Sequence, residues 1–281
     1  MKQKKPIDLF LYIITHFSAI IAFSLLILII GYILIKGIPY IKISLFALEY
    51  TSENVSVFPA IISTIIITLM SLITAVPIGI FSAIYLIEYA KRGNKIVSIV
   101  RITAETLSGI PSIVYGLFGL LFFVTYLGWG FSILAGAFTL AIMILPLIMR
   151  TTEEALKAVP DLYREGSFGL GAGKLRTIFR IVLPSAIPGI LAGIILAIGR
   201  IVGETAALIY TAGTVAQIPN GSGFAFMSAR TLSVHMYALS SEGFHTNEAY
   251  ATAVILLVIV VGINAFSAFL ARKLQRGNEY G

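Results

Sequence analysis

Residues 159–189 read VPDLYREGSFGLGAGKLRTIFRIVLPSAIPG. Pro160 suits the first turn of a helix, where its missing N–H has no partner to lose. Asp161 and Glu165 favour a helix N-terminus, and Lys174 and Arg176 a C-terminal end. The stretch therefore predicts a short helix, a Gly-rich turn and a second helix. Leu162, Gly166 and Leu170 share one face of the first helix, an apolar knob beside a flat Gly site. Gly166 inside a helix costs about 1 kcal/mol against Ala, which points either to a packing surface or to a plain solvated loop with caps. Gly173-Lys174 invites comparison with the phosphate-binding loop G-x-x-x-x-G-K-[ST], but Phe168 stands where the first Gly should be and Leu175 where the magnesium ligand should be. No nucleotide site is expected here.

The loop lies among segments that no soluble domain carries. Of 281 residues, 58% are hydrophobic and 12% charged, against about 25% charged in soluble proteins. Six stretches reach the roughly 20 apolar residues a bilayer span needs: about 10–35, 57–87, 97–126, 130–149, 184–212 and 248–271. The first is far longer than the h-region of a cleavable signal peptide and is expected to remain as a helix. Lys2, Lys4, Lys5, Lys91, Arg92, Lys95, Arg150, Lys157, Arg164, Lys174, Arg176, Arg180, Arg272, Lys273 and Arg276 fall on one side of this plan. Lys36, Lys42 and Arg230 fall on the other. The positive-inside rule then puts both termini in the cytoplasm. The basic side meets anionic lipid and cytoplasmic partners, so the net charge of +7 does not argue for nucleic acid. The absence of Cys excludes disulfides and thiolate metal sites.

Charges inside the spans narrow the function. In the fifth span Arg200 and Glu204 stand four apart, on one helix face. A charge at mid-bilayer costs at least about 2.5–3.5 kcal/mol and mostly faces a bundle interior or a water-filled path. Either the two neutralise each other and glue the bundle, or Arg200 lines an anion route that Glu204 tempers. Guanidinium forks match oxyanion geometry. Arg101 and Glu105 read as a structural pair near the cytoplasmic edge. Ser108-Gly-Ile-Pro111-Ser112 reads as a broken helix, a common mark of a permeation path, with Ser108 and Ser112 as its polar groups. Pro77 is a candidate kink in the second span. Gly189 with Gly193, and Gly199 with Gly203, read as helix-packing pairs. His16, His235 and His245 are scattered, and no catalytic constellation or metal site is expected, so the chain does not read as an enzyme.

A family resemblance adds to this reading. Glu165-Gly166-Ser167, three residues, Gly171, nine residues, then Ile181-Val182-Leu183-Pro184 resembles the EAA loop of ABC-importer permeases, with Gly-Ser in place of Ala-Ala. TLSGIPSIVYGLFGL (106–120), GRIVGETAAL (199–208) and ARTLSVHMYALSSEG (229–243) resemble the permease subunits of phosphate ABC importers, on the PstA rather than the PstC side. The resemblance implies an all-α integral membrane protein of six transmembrane helices with the type I ABC-importer permease fold. Residues 1–56 would form a cytoplasmic tail, first helix and outer loop. Residues 57–275 would form the core, with a cytoplasmic coupling loop at 150–183, and 276–281 a cytoplasmic tail. It implies a place in the cytoplasmic membrane of a prokaryote and a partner permease of the PstC type. ATPase subunits of the PstB type would bind ATP and Mg, and a PstS-type extracytoplasmic protein would deliver phosphate. No cofactor is implied for this chain. Leu162, Glu165, Gly166, Ser167 and Gly171 would dock the ATPase, and Arg200, Glu204, Ser108 and Ser112 would line the path. ATP binding and hydrolysis would drive alternating access. The rival readings are a sulfate or molybdate permease, and a secondary transporter or channel that needs no ATPase.

Overall fold

A computed structural model describes residues 6–91 and 93–278. Lys2, Lys4, Lys5, Arg92 and the tail residues 279–281 lie outside the described residues, as do the side chains of Arg272, Lys273 and Arg276. Every regular element among the described residues is helical: α1 (Pro6–Gly37), α2 (Phe58–Ile84), α3 (Lys95–Ser108), α4 (Ser112–Gly119), α5 (Ile133–Lys157), α6 (Asp161–Gly169), α7 (Lys174–Thr177), α8 (Leu183–Val202), α9 (Ala206–Ile209), α10 (Leu232–Glu242) and α11 (Thr246–Asn278). Five helices are long and apolar enough to cross a membrane, and a bent pair brings the number to six if it counts as one span.

α3, α5 and α10 start where short polar side chains satisfy free N–H groups. Asn94 accepts from the Ile96 N–H at 2.9 Å, Ser132 from Ala135 at 3.2 Å and Thr231 from Val234 at 3.4 Å. α5 is the central post: 67% of its most apolar window is buried inside the chain, against none of the corresponding window of α1. It packs on α2 and α8 through Leu140, Ile144 and Ile148, which meet Ile67, Ala197 and Ile201 in one core. Ser71 of α2 donates to Ala137 O of α5 at 3.0 Å, a polar link of the kind that holds helices together where lipid removes the hydrophobic drive. A Cβ on Gly189 would stand 2.7 Å from that of Ala155, and one on Gly193 would overlap Thr151, so α8 approaches α5 closely at this pair. The second pair packs against no other helix of the described residues: a Cβ built on Gly199 would meet nothing within 4 Å, and one on Gly203 only Gly199 O at 3.6 Å.

Three expected spans change shape. The third is broken: α3 and the α4 segment, which runs on as a π-helical turn to Tyr126, meet at 102°. Pro111 gives the reason, since it has no N–H to continue the ladder and disfavours helix at the residue before it. The fifth stops at Val202 rather than near 212, and α9 is a separate turn. The fourth runs on to Lys157, so the cytoplasmic loop assigned to 150–183 begins inside α5. Pro77 sits within a helix that passes as one span.

Candidate functional site

The ends of α3, α4, α8 and α9 converge beside the middle of α5. Ser108 and Pro146 border one cavity. Gly193 faces Thr151 on the antiparallel α8, so Arg200, two turns further on, comes level with Ile144. Arg200 and Ser108 thus reach the same depth along α5, far from either of its ends. Tyr115 is close enough to Arg200 to feel its charge. Its hydroxyl donates to Leu107 O at 2.7 Å and so bridges the break between α3 and α4. Gly116 stands 2.8 Å, measured from a built Cβ, from Cα of Ala207, which brings α9 directly against α4.

Arg200 and Glu204, expected on one helix face, are separated by the end of α8 at Val202, and no ion pair joins them. Glu204 lies past the end of α8, and its carboxylate accepts from the Ala207 N–H at 3.1 Å, so it caps α9. Its carbonyl accepts from the Ser233 hydroxyl, which ties this turn to α10. Arg200 is half-buried and makes no ion pair or hydrogen bond among the described residues. Ser108 turns back onto its own helix, donating to Ala104 O at 2.9 Å and Glu105 O at 3.1 Å. Ser112 opens α4, where the Val114 N–H donates to Pro111 O at 3.0 Å. Arg101 does not pair with Glu105. It reaches Glu153 of α5, with Nη2 at 3.0 Å from the carboxylate.

The loop at 161–173 forms a second cluster. Leu162, Glu165 and Gly166 are exposed on the outer face of α6, and a Cβ on Gly166 would meet nothing within 4 Å. Ser167 departs from that set: it is buried and exchanges a 2.8 Å hydrogen bond with the Thr177 hydroxyl, so it fastens α6 to α7 rather than facing outward. Gly171 has φ +82°, with its N–H on Phe168 O and the next N–H, of Ala172, on Ser167 O. That is a Schellman close, which needs the left-handed conformation Gly adopts freely. Leu170, expected on the α6 face, sits just past its end and is 91% exposed. Lys174 and Arg176, expected at a helix C-terminus, instead open the second helix, with the Lys174 ammonium 5.0 Å from the centre of the Tyr89 ring. Arg164, unmarked in the sequence as more than a basic residue, anchors the loop through Glu88, Val159 O and Leu156 O.

Tyr115, Ser233, Glu153 and Glu88 were not singled out from the sequence. Tyr115 lies in the quoted stretch 106–120 and reaches back across its break to Leu107, whereas Ser233, Glu153 and Glu88 act through partners distant in the chain. Among the described residues no three His, Cys, Asp or Glu side chains gather as a metal would require.

The sequence matches the family described as the binding-protein-dependent transport system inner membrane component over residues 75–279. It is 32% identical to a probable ABC transporter permease protein, YqgI, of Bacillus subtilis (strain 168), over 92% of each chain. It is 37% identical to the phosphate transport system permease protein PstA of Pasteurella multocida (strain Pm70), over 83% of this chain and 82% of that one. With PstA of Mycobacterium leprae (strain TN) it shares 34% identity over 79% and 73%. In fold it is similar to a chain of a bacterial alginate ABC transporter solved with an alginate pentasaccharide-bound periplasmic protein, at TM-score 0.69, 18% identity and 95% of both chains. A chain of the MetNI methionine ABC transporter aligns at TM-score 0.59 and 19% identity, over 78% of this chain and 94% of that one.

Proposed function

The chain belongs to the binding-protein-dependent inner membrane components, the permeases of ABC importers with the type I fold, and on that premise we propose that it passes inorganic phosphate across the cytoplasmic membrane by ATP-driven alternating access. The observation that carries the reading is Arg200. A cation at this depth costs free energy unless something compensates it. Glu204 caps α9 and makes no ion pair with Arg200, and in this reading the compensating charge is that of a passing anion. A guanidinium presents the paired N–H groups that oxyanions take up. The PstA relatives give phosphate as the oxyanion.

In this reading residues 57–275 are the core, with both termini cytoplasmic, and 1–56 and 276–281 are the flanking parts. Arg200 holds the anion, and Ser108 and Ser112 mark the helix break beside it. Glu204 shapes the turn that carries Arg200. Leu162, Glu165, Gly166 and the Gly171 close present α6 to a separate ATPase subunit, which binds ATP and Mg, while Ser167 keeps α6 on α7. A second permease of the PstC type and an extracytoplasmic phosphate-binding protein complete the machine.

The test is ATP-dependent uptake of labelled phosphate by the reconstituted complex, with arsenate, sulfate and molybdate as competitors. Competition by unlabelled phosphate and arsenate alone is expected. Competition by sulfate or molybdate, or uptake without ATP, overturns the reading.

A further inference from the structure

A cavity of about 270 Å³ lies between α3 and α5. It begins at Ser108, level with Arg200, and runs past Arg101, Arg150 and Glu153 to Lys157 at the end of α5. Hydrocarbon cannot cover a wall with so many ionised groups, so it faces water or protein. Its charges are balanced in a particular way. Glu153, almost fully buried, offers a single carboxylate oxygen, Oε2, to two cations: Arg101 at 3.0 Å from Nη2 and 3.1 Å from Nε, and Lys157 at 3.4 Å. Arg150 pairs with Glu154 at 3.2 Å. Glu105, on the same wall, makes no ion pair among the described residues.

We propose that this cavity is the cytoplasmic release vestibule of the anion path, in which inorganic phosphate leaving Arg200 is handed to Arg101 and Lys157 while Glu153 competes for them. The inference rests on the phosphate reading above. An exit must hold its cargo weakly. Two cations alone would trap a phosphate, whereas cations already shared with a buried carboxylate give it up, because the carboxylate takes its place. Neutralising Glu153 therefore strengthens product binding instead of weakening it, a sign opposite to the loss that a purely structural salt bridge predicts.

The experiment uses the complete complex in proteoliposomes, with loaded binding protein outside and ATP and a graded phosphate concentration on the cytoplasmic side. Initial uptake of labelled phosphate is read. Glu153→Gln is expected to make cytoplasmic phosphate inhibitory at a concentration at least about tenfold lower, because Arg101 and Lys157 lose the carboxylate that competes for them. Glu105→Gln, which breaks no ion pair, is expected to shift inhibition in the same direction by a smaller factor, and decides the matter if Glu153→Gln fails to assemble. Arg101→Gln is expected to lower the maximal rate and abolish the inhibition, with the KM for loaded binding protein unchanged. Wild-type sensitivity to cytoplasmic phosphate in the carboxylate variants, in complexes that import phosphate, overturns the vestibule alone. Failure of the wild-type complex to import phosphate overturns the phosphate reading and the vestibule with it.

Discussion

Arg164 of α6 and Glu88 at the end of the second span, 76 positions apart in sequence, are joined by two hydrogen bonds to one carboxylate oxygen, at 2.8 Å from Nη2 and 3.1 Å from Nε. Both side chains are largely buried, at 14% and 9% exposure, which separates this pair from the exposed ones on α5. Removing one partner of a buried pair costs about 3–5 kcal/mol, because the other charge is left uncompensated. Arg164→Ala is thus expected to free α6 from the membrane core. Uptake and stimulated ATP hydrolysis fall together, while membrane insertion is retained. Measuring both activities on the same preparation checks this; full coupling in Arg164→Ala contradicts it.

The outer face of α6 is expected to behave differently from its anchor. The double variant Glu165→Lys/Gly171→Asp places a reversed charge on the exposed face and a side chain where φ is +82°. Left-handed backbone costs a non-Gly residue about 1–2 kcal/mol, too little to unfold the bundle. The variant is expected to insert normally and to lose co-purification with the ATPase subunit. Co-purification at the wild-type level would remove the docking role from this face.

Arg200→Gln removes the charge, shortens the side chain and replaces the guanidinium fork of five N–H donors with a single amide. Since Arg200 has no ion-pair or hydrogen-bond partner among the described residues, assembly and thermal stability are expected to stay near the wild-type level, and phosphate uptake to drop by at least about tenfold, the loss of roughly 1.4 kcal/mol. Uptake at the wild-type rate would end the assignment of Arg200 to the path.

The two Gly pairs of the fifth span give a matched comparison. Gly193→Val drives a branched side chain into Thr151, and overpacking of this kind costs about 1–3 kcal/mol. Gly199→Ala enters open space. Unfolding in detergent is expected at a lower temperature for the first and at or slightly above the wild-type temperature for the second, since Ala is the better helix former. Equal melting of the two would show that α5 and α8 are not in the contact described.

His235 supplies a pH dependence on the α10 side. Burial, and after it the neighbouring Arg230 whose Nη1 stands 3.2 Å from Nδ1, lowers its pKa from 6.5 to about 4. Between those values the unfolded chain holds the proton and the folded one does not, so stability rises with pH there. His235 therefore contributes fully above pH 6.5, and the contribution is lost as pH falls toward 4. Wild-type melting temperature is expected to drop across that window more steeply than that of His235→Gln. Parallel curves for the two proteins would contradict it.

The sequence makes the spans legible because lipid imposes a simple requirement, a long apolar run, on each of them. Its blind spots lie where one residue acts through another. Pro111 announces a break in α3–α4, yet nothing in the pattern gives the 102° angle or the Tyr115 bond that closes it. The four-residue spacing of Arg200 and Glu204 implies a shared helix face only while the helix continues, and Gly203 ends it at that point. Arg101 and Glu105 mislead in the same way, since the better partner, Glu153, comes from another helix. Ser167 fits a docking motif by position, but only the fold reveals Thr177 behind it.

The Tyr115 bond carries a mechanical consequence. Besides the local turn hydrogen bonds of Gly109 and Ile110, the phenol is the clasp between α3 and α4. A net hydrogen bond of this kind contributes about 1 kcal/mol, hardly more than thermal agitation supplies. The joint is accordingly a loose elbow between two stiff rods. Arg101, half-way along α3, ties that helix to Glu153, so a displacement of the Lys157 end of α5 would turn α3 about this elbow beside Arg200.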